Sequence, residues 1–333
     1  MRELKNLFSW SVTRHRVFSD CRRQYYFRHY GFWGGWDPRA DARVRELYIL
    51  KQLSNRFTLA GQIVHALVAD VLNKHRYGRE VPPQEAKTSA VERLRAAFRQ
   101  SRAGDYRRSP KHAVGLFEHE YAEPVSDAEW QRMRERVETC LENFYSSKIR
   151  ETILETRIEN WLPIDALDSF LFEDTTVYVA PDFALRNNQG NALLIDWKTG
   201  RPEHAGDRTQ IVCYGLFARR KWGVDPERAV GELHYLLTGD VQIVTLDEAA
   251  LAEGAEHIRG SILAMKALLD DPGTNLAREE VFPQTEDRET CARCNFRKIC
   301  WPSWPPADFV PRRRAGEVQG RGADCPPATG VVG

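Results

Sequence analysis

The chain has 333 residues, of which 42% are hydrophobic and 29% charged, and its formal net charge is +1. That is the balance of a soluble globular protein, long enough for one large domain or two small ones with a core of its own. The charge gives no bulk attraction to nucleic acid. No apolar run approaches the roughly 20 residues that span a bilayer, and MRELKNLFSW at the start has no apolar stretch of a secretory signal. A cytoplasmic location is expected, where seven cysteines point to metal binding or catalysis more than to disulfides.

In chain order, residues 1–35 are aromatic and basic with short helical character. Arg14, Arg16, Arg22, Arg23 and Arg28 surround Tyr25, Tyr26 and Phe27. A second basic run holds Arg93, Arg95, Arg99, Arg102, Arg107, Arg108 and Lys111. Each patch suits a phosphate backbone with stacked bases, but either alone reads more readily as a solvated helix face. Leu59, Ile63, Ala66, Leu67 and Val71 predict a helix over 54–76. Two more amphipathic helices are expected at 89–103 and 127–148, joined by a polar loop with Gly104 and Pro110.

The character changes after residue 150. Glu155–Leu162 reads as extended. Thr175–Leu185 and Ala192–Trp197 read as two strands of a hairpin turning at Asn187, Asn188 and Gly190. A helix follows at 205–222. Glu232–Leu237 and Val241–Leu246 form a second hairpin across Thr238-Gly239-Asp240. A long helix at 247–270 stops at Asp271-Pro272-Gly273. From Pro302 the chain is rich in Pro, Gly and Arg and is expected to be disordered. The sum is a helical front followed by ββαββα: a mixed α/β fold with a sheet flanked by helices.

One constellation carries chemistry. Asp182 lies near the end of one strand, and Asp196 and Lys198 lie late in the next. Residues two apart on a strand share a face, so Asp196 and Lys198 can project together towards Asp182. Two carboxylates are hard oxygen ligands that suit Mg²⁺ or Mn²⁺. Such a metal polarises a phosphoryl oxygen and helps ionise a water. A lysine ammonium orients that water or stabilises the charge on pentavalent phosphorus. Taken alone, a D-x-K triplet is common on exposed strands. Its neighbours distinguish this one: His65 in Gly61-Gln62-Ile63-Val64-His65, and Gln210 and Tyr214 four apart on one helix face.

The order G-x-x-x-H, P-D, D-x-K-T-G, Q-x-x-x-Y resembles the RecB-type branch of the PD-(D/E)xK nuclease superfamily. The resemblance implies a restriction-endonuclease-like core. It also implies metal binding by His65, Asp182 and Asp196, a catalytic role for Lys198, and Gln210 and Tyr214 lying against the active site and DNA. Relatives often carry a glycine shortly before the first acid, where this chain has Ala180-Pro181.

Cys291, Cys294 and Cys300 form a C-x2-C-x5-C loop that needs a fourth ligand. Cys140 and Cys213 read as mid-helix, and Cys325 falls in the expected tail. Cys21 lies in FSDCRRQYYFRHY, which is similar to the F-x-x-C-P-R-x-Y-x-F segment of AddB and the CRISPR-associated exonucleases, with Arg22 in place of the proline. In those relatives the early cysteine joins three late ones around a [4Fe–4S] cluster, which implies Cys21, Cys291, Cys294 and Cys300 as its ligands here. Four thiolates also suit tetrahedral zinc, and ligation alone does not separate the two.

The expected organisation is one nuclease domain over 1–301. It has a helical part about 36–150, a catalytic core about 151–275, and a cluster clasp from 5–35 and 280–301. Glu118 and Glu120 read as surface acids, Glu155 as a weak candidate for the metal site, and Trp197 as core. No Walker loop or dinucleotide fingerprint is present. The expected function is Mg²⁺- or Mn²⁺-dependent cleavage of DNA, favouring single-stranded ends, with a helicase as a separate partner. The alternative is a non-catalytic iron–sulfur or zinc DNA-binding module.

Overall fold

The apolar–polar alternation between Asp168 and Thr245 folds as six strands in the computed structural model, which describes residues 5–305 apart from 163, 188, 203 and 204. β1 (Asp168–Phe172) and β2 (Thr175–Val179) form an antiparallel pair. β3 (Phe183–Arg186), β4 (Ala192–Lys198), β5 (Ala229–Tyr235) and β6 (Asp240–Thr245) form a four-stranded sheet in that order. The β3–β4 and β5–β6 pairs are antiparallel, and β4–β5 is parallel. A parallel step needs a crossover, which helix α10 (Ala205–Trp222) provides. The apolar run at Ala192–Trp197 suits an interior strand, and β4 has no exposed position, whereas edge strand β6 is exposed at all but one.

Three local expectations differ. The strand expected over Thr175–Leu185 divides into β2 and β3, because Pro181 has no amide to give a ladder and Asp182 sits in a bend. Glu155–Leu162 is not extended. Ser147 caps a helix α9 (Lys148–Glu155) that buries Ile149 and Ile153, a 3₁₀ turn covers Ile158–Asn160, and Trp161 alone bridges to Leu185. β1 is an addition to the expected order. Its Phe170 and Phe172 alternate inward, and the turn into β2 uses Glu173 at φ +55°. Asn188 of the expected turn and Cys325 with the tail from residue 306 lie outside the described residues.

The other helices are α1 (Val12–Asp20), α2 (Arg22–Tyr26), α3 (Ala42–Lys51), α4 (Arg56–Arg76), α5 (Pro83–Arg102), α6 (Asp105–Arg108), α7 (Phe117–Glu120), α8 (Asp127–Tyr145), α11 (Glu248–Lys266), α12 (Arg288–Ala292) and α13 (Arg297–Cys300). No helix among the described residues is long and apolar enough to cross a membrane. α4 begins where the Asn55 side chain accepts the amides of Phe57 and Thr58. Its buried rows are Leu59, Ile63, Leu67, Val71 and Ala60, Val64, Val68, Leu72. Ala66 is exposed, so the stripe faces slightly away from the expected one.

Alternation along β3 and β4 sends side chains to two cores. Phe183, Leu185, Ile195 and Trp197 pack with α4, α5 and α8. Ala184, Ala192 and Leu194 pack with α10 and α11. Trp197 is core, as expected, with the Phe144 ring of α8 at 5.6 Å and the His234 ring at 5.3 Å. Glu118 and Glu120 are not surface acids. Glu118 accepts the Arg56 amide at 3.0 Å, and the buried Glu120 carboxylate joins Arg107 and Lys298. Both therefore brace the start of α4 and the C-terminal segment. Glu155 is exposed at the end of α9.

The two ends of the described chain meet. The Arg23 guanidinium pairs with Glu279 at 2.8 Å, its amide donates to Pro283 O, and the Phe27 and Phe296 rings lie 5.4 Å apart. Asn295 donates to Leu53 O at 2.8 Å and its own carbonyl accepts from Tyr121 Oη at 2.6 Å. Phe144 of α8 is fully buried against Trp197 of the sheet. Phe144→Ala removes a ring there and leaves a cavity, at a cost of about 3–5 kcal/mol. Urea denaturation followed by circular dichroism should show the matching fall in midpoint; an unchanged midpoint would mean this helix does not cover the sheet.

Candidate active site

β4 carries the centre of the site. Because alternate residues share a face, Asp196 and Lys198 point to the side of the sheet covered by α10, while Trp197 between them anchors the opposite core. The β3–β4 ladder ends at the Phe183–Ile195 pair. One residue before β3, Asp182 turns its side chain into the gap. Its Oδ2 accepts the Trp197 amide at 2.7 Å, and its Oδ1 lies 2.9 Å from His65 Nδ1 on α4. A carboxylate thus extends the ladder where Pro181 interrupts it.

Asp196 is almost fully buried. Its Oδ2 lies 2.6 Å from Lys198 Nζ, and its Oδ1 lies 3.3 Å from Tyr214 Oη. The expected pair on α10 joins the same network. Gln210 Oε1 accepts from Lys198 Nζ at 2.9 Å, and Gln210 Nε2 donates to Tyr214 Oη at 2.6 Å. The Tyr214 hydroxyl also reaches Ala180 O at 2.9 Å, which ties α10 to the segment before Asp182. His65 of α4, Asp182 of the bend before β3, Asp196 and Lys198 of β4, and Gln210 and Tyr214 of α10 are therefore brought into one connected group.

Asp207 was not among the expected residues, yet it belongs to this group. Its Oδ1 lies 3.4 Å from Lys198 Nζ, and its Oδ2 accepts from Tyr235 Oη of β5 at 3.2 Å. The available signal was spacing: 207, 210 and 214 lie three and four apart on one helix face. Gly61 contributes by what it lacks. A Cβ there would stand 3.1 Å from Thr199 Oγ1, so the glycine lets α4 lie close against the chain just after Lys198. Arg136 of α8 donates to Thr199 O on that same turn.

Charge and burial set the protonation of the group. Burial and the neighbouring Asp182 charge push the Asp196 carboxyl up to about 6, against the pull of Lys198. Burial works to lower His65, but the charge and hydrogen bond of Asp182 outweigh it and raise the imidazole to about 9. Burial likewise opposes the Lys198 charge and is outweighed by Asp196 and Asp207, so the ammonium is held. Burial raises the Tyr214 hydroxyl far above its ordinary value, which keeps it a donor.

Two mutually repelling buried carboxylates beside an imidazole form a donor set that fits a hard divalent cation in kind. Among the described residues no three His, Cys, Asp or Glu side chains are already gathered around a metal position. Here the Trp197 amide and the His65 ring engage Asp182 and the Lys198 charge faces Asp196, whose buried Oδ2 has no hydrogen bond.

The four cysteines lie at the other end of α1. Cys21, Cys291, Cys294 and Cys300 line one small cavity with Phe27, Arg297 and Trp301. Cys21 accepts the Gln24 amide at 3.5 Å, and Cys294 accepts the Phe296 amide at 3.4 Å. Burial and the nearby thiols push Cys294 and Cys300 up to about 12. Cys140 and Cys213 are buried in helices away from this cavity, as expected. Of the first basic patch, Arg23 is engaged in the Glu279 pair; of the second, Arg107 and Arg108 pair with acids, while Arg93, Arg95, Arg99 and Arg102 are exposed along α5.

No curated protein matches the sequence. Among solved structures, one titled "Crystal structure of SSO0001" aligns with a TM-score of 0.29 and 13% identity, covering 63% of this chain and 84% of that one. A family model described as the PD-(D/E)XK nuclease superfamily matches residues 9–301. With its acids, lysine and α10 pair joined in one network on a mixed sheet, the chain belongs to the PD-(D/E)XK nuclease superfamily.

Proposed function

We propose that this nuclease is a Mg²⁺- or Mn²⁺-dependent deoxyribonuclease, acting as an exonuclease on single-stranded DNA ends in repair, recombination or a related pathway beside a separate helicase. The observation that carries the reading is the Lys198 ammonium held within 2.6 Å of the buried Asp196, itself beside Asp182. In this reading Asp182 and Asp196 give oxygen ligands, and His65 gives a nitrogen once it releases the proton it shares with Asp182. A bound Mg²⁺ or Mn²⁺ supplies charge neutralisation at the phosphate and a water of lowered pKa. Lys198 faces the phosphate as a fixed positive charge while phosphorus gains its fifth oxygen. Gln210 and Asp207 hold that ammonium in direction, and Tyr214 holds Asp196 and the Ala180 carbonyl in place.

Asp196→Asn keeps the volume of the side chain and removes its charge. Cleavage of a labelled single-stranded oligonucleotide should fall by at least about 100-fold, as when a single charge-stabilising group is lost, with DNA binding nearly intact. Full activity in this variant would sink the site assignment. Asp207→Asn should cost about 10–100-fold, the range for a group that orients another, and the loss should appear in kcat rather than KM. An unchanged kcat would remove Asp207 from the machinery.

The four cysteines support a second part of the proposal, a [4Fe–4S] cluster that clasps the N-terminal segment to the C-terminal one. The cavity they share is walled by both segments, and thiols raised by burial become good ligands only when a cation takes their protons. Anaerobically purified protein should be brown, carry about four irons per chain, and lose them in Cys294→Ser together with several degrees of melting temperature. Zinc in place of iron would assign the four thiolates to a structural zinc site instead.

A further inference from the structure

A cleft opens directly beside the candidate active site. Its inner wall is Gln210 and Tyr214, the pair bonded to Lys198 and Asp196. Its outer walls are the first residues of α1, from Ser11 to Thr13, and the β1–β2 pair with Leu167 and Tyr178. Whatever fills this cleft lies against the side chains that hold Lys198 and Asp196.

The outer wall is apolar where a sheet facing water should be polar. In the β1–β2 register Ser169 stands opposite Tyr178 and Leu171 opposite Thr176, so these four share one face. The other face, with Phe170, Phe172, Val177 and Val179, is buried in the core. Yet on the outward face Leu171 is 62% exposed and Tyr178 42%, with Leu167 beside them 73% exposed. Isolated exposed apolar residues need no explanation, but Leu167 and Tyr178 both line the cleft, and Leu171 lies on the same face of the pair as Tyr178. The tyrosine is also unengaged, unlike those of the N-terminal segment. Tyr25, Tyr26 and Tyr30 are each packed in ring clusters. Among the described residues Tyr178 has no ring neighbour and its hydroxyl no hydrogen bond; only its amide is used, donating to Trp10 O at 2.9 Å.

We propose that the outward face of the β1–β2 pair is a base-stacking platform for a single-stranded nucleic acid, on which the Tyr178 ring receives a base next to the phosphate held at the acids. The inference rests on the nuclease reading for its orientation. The occupant follows from continuity: the same Gln210–Tyr214 wall faces both the cleft and the charged group, so a chain with phosphates in one place has its bases in the other. A planar aromatic ring offered to solvent suits any base, since every base has a π face. That makes the platform tolerant of sequence. Leu167 and Leu171 extend its apolar surface to neighbouring bases.

The test uses the full chain and fluorescence anisotropy of a labelled single-stranded oligodeoxythymidine in EDTA, where cleavage is blocked. Tyr178→Ala should weaken binding about tenfold, the loss of one stacked base. Tyr178→Phe and Tyr178→Trp should bind as wild type, since stacking needs the ring and not the hydroxyl. A single abasic nucleotide moved along the oligonucleotide should cost the wild type a similar factor at one position and cost Tyr178→Ala nothing there. Wild-type affinity in Tyr178→Ala, or a wild-type chain that binds no single strand, would overturn the platform and assign the patch to a protein partner or a second copy. Tyr178-dependent binding without Mg²⁺-dependent cleavage would leave this inference standing and sink the nuclease reading. Cleavage and binding that ignore Tyr178 would do the reverse.

Discussion

Two carboxylates buried side by side are the constraint on which the site depends. Asp182 and Asp196 are both buried, and burial together with their mutual repulsion displaces the Asp196 carboxyl upward. An unpaired buried charge is costly, and the oxygens face the Trp197 amide and His65 at Asp182 and Tyr214 and the Lys198 charge at Asp196, whose Oδ2 is left without a hydrogen bond. These partners come from a strand amide, two helices and a strand lysine. They can converge only if α4, α10 and β4 are fixed relative to one another. The two hydrophobic cores on either face of the sheet do this fixing, and Trp197 belongs to one of them while its neighbours on both sides belong to the site.

That arrangement explains what could be read from the sequence. Asp196, Lys198 and Trp197 were legible because a strand obeys a period of two and nothing interrupts it. The hairpin to β3, the crossover α10, and the β5–β6 pair were legible from turns and helical spacing. His65 was legible only through the order of motifs, since no local pattern distinguishes it from other helical histidines. What failed did so at points where one residue overrules a pattern. Pro181 breaks a segment whose composition is uniformly strand-like, and its consequence, a carboxylate standing in for a ladder partner, is visible only in three dimensions. Ser147 starts a helix in a segment whose later residues alternate.

Asp207 and Glu118 show a different limit. Charged residues are usually at the surface, and no spacing rule says which acid will meet a distant base. Glu118 is buried because Arg56 begins a helix beside it, with 61 residues of chain between them; Asp207 is buried because Tyr235 and Lys198 reach it from two strands. Both are long-range facts. The basic runs divide for the same reason: Arg23 and Arg107 look like their neighbours in the sequence but are spent on acids far along the chain.

The N-terminal helix links the two halves of the molecule. Its first residues wall the cleft beside Gln210 and Tyr214, and Trp10 just before it is pinned by backbone bonds to β2 and by its indole donating to Ser261 of α11 at 2.9 Å. Its last turn ends at Cys21, whose amide donates to Val17 O and whose sulfur lines the cysteine cavity. A nine-residue helix is rigid on its own length, about 14 Å at 1.5 Å per residue. Fixing Cys21 against Cys291, Cys294 and Cys300 therefore fixes the far end of α1 as well. The cysteine cavity thus bears on the shape of the cleft without touching it, because one short helix has its two ends in both.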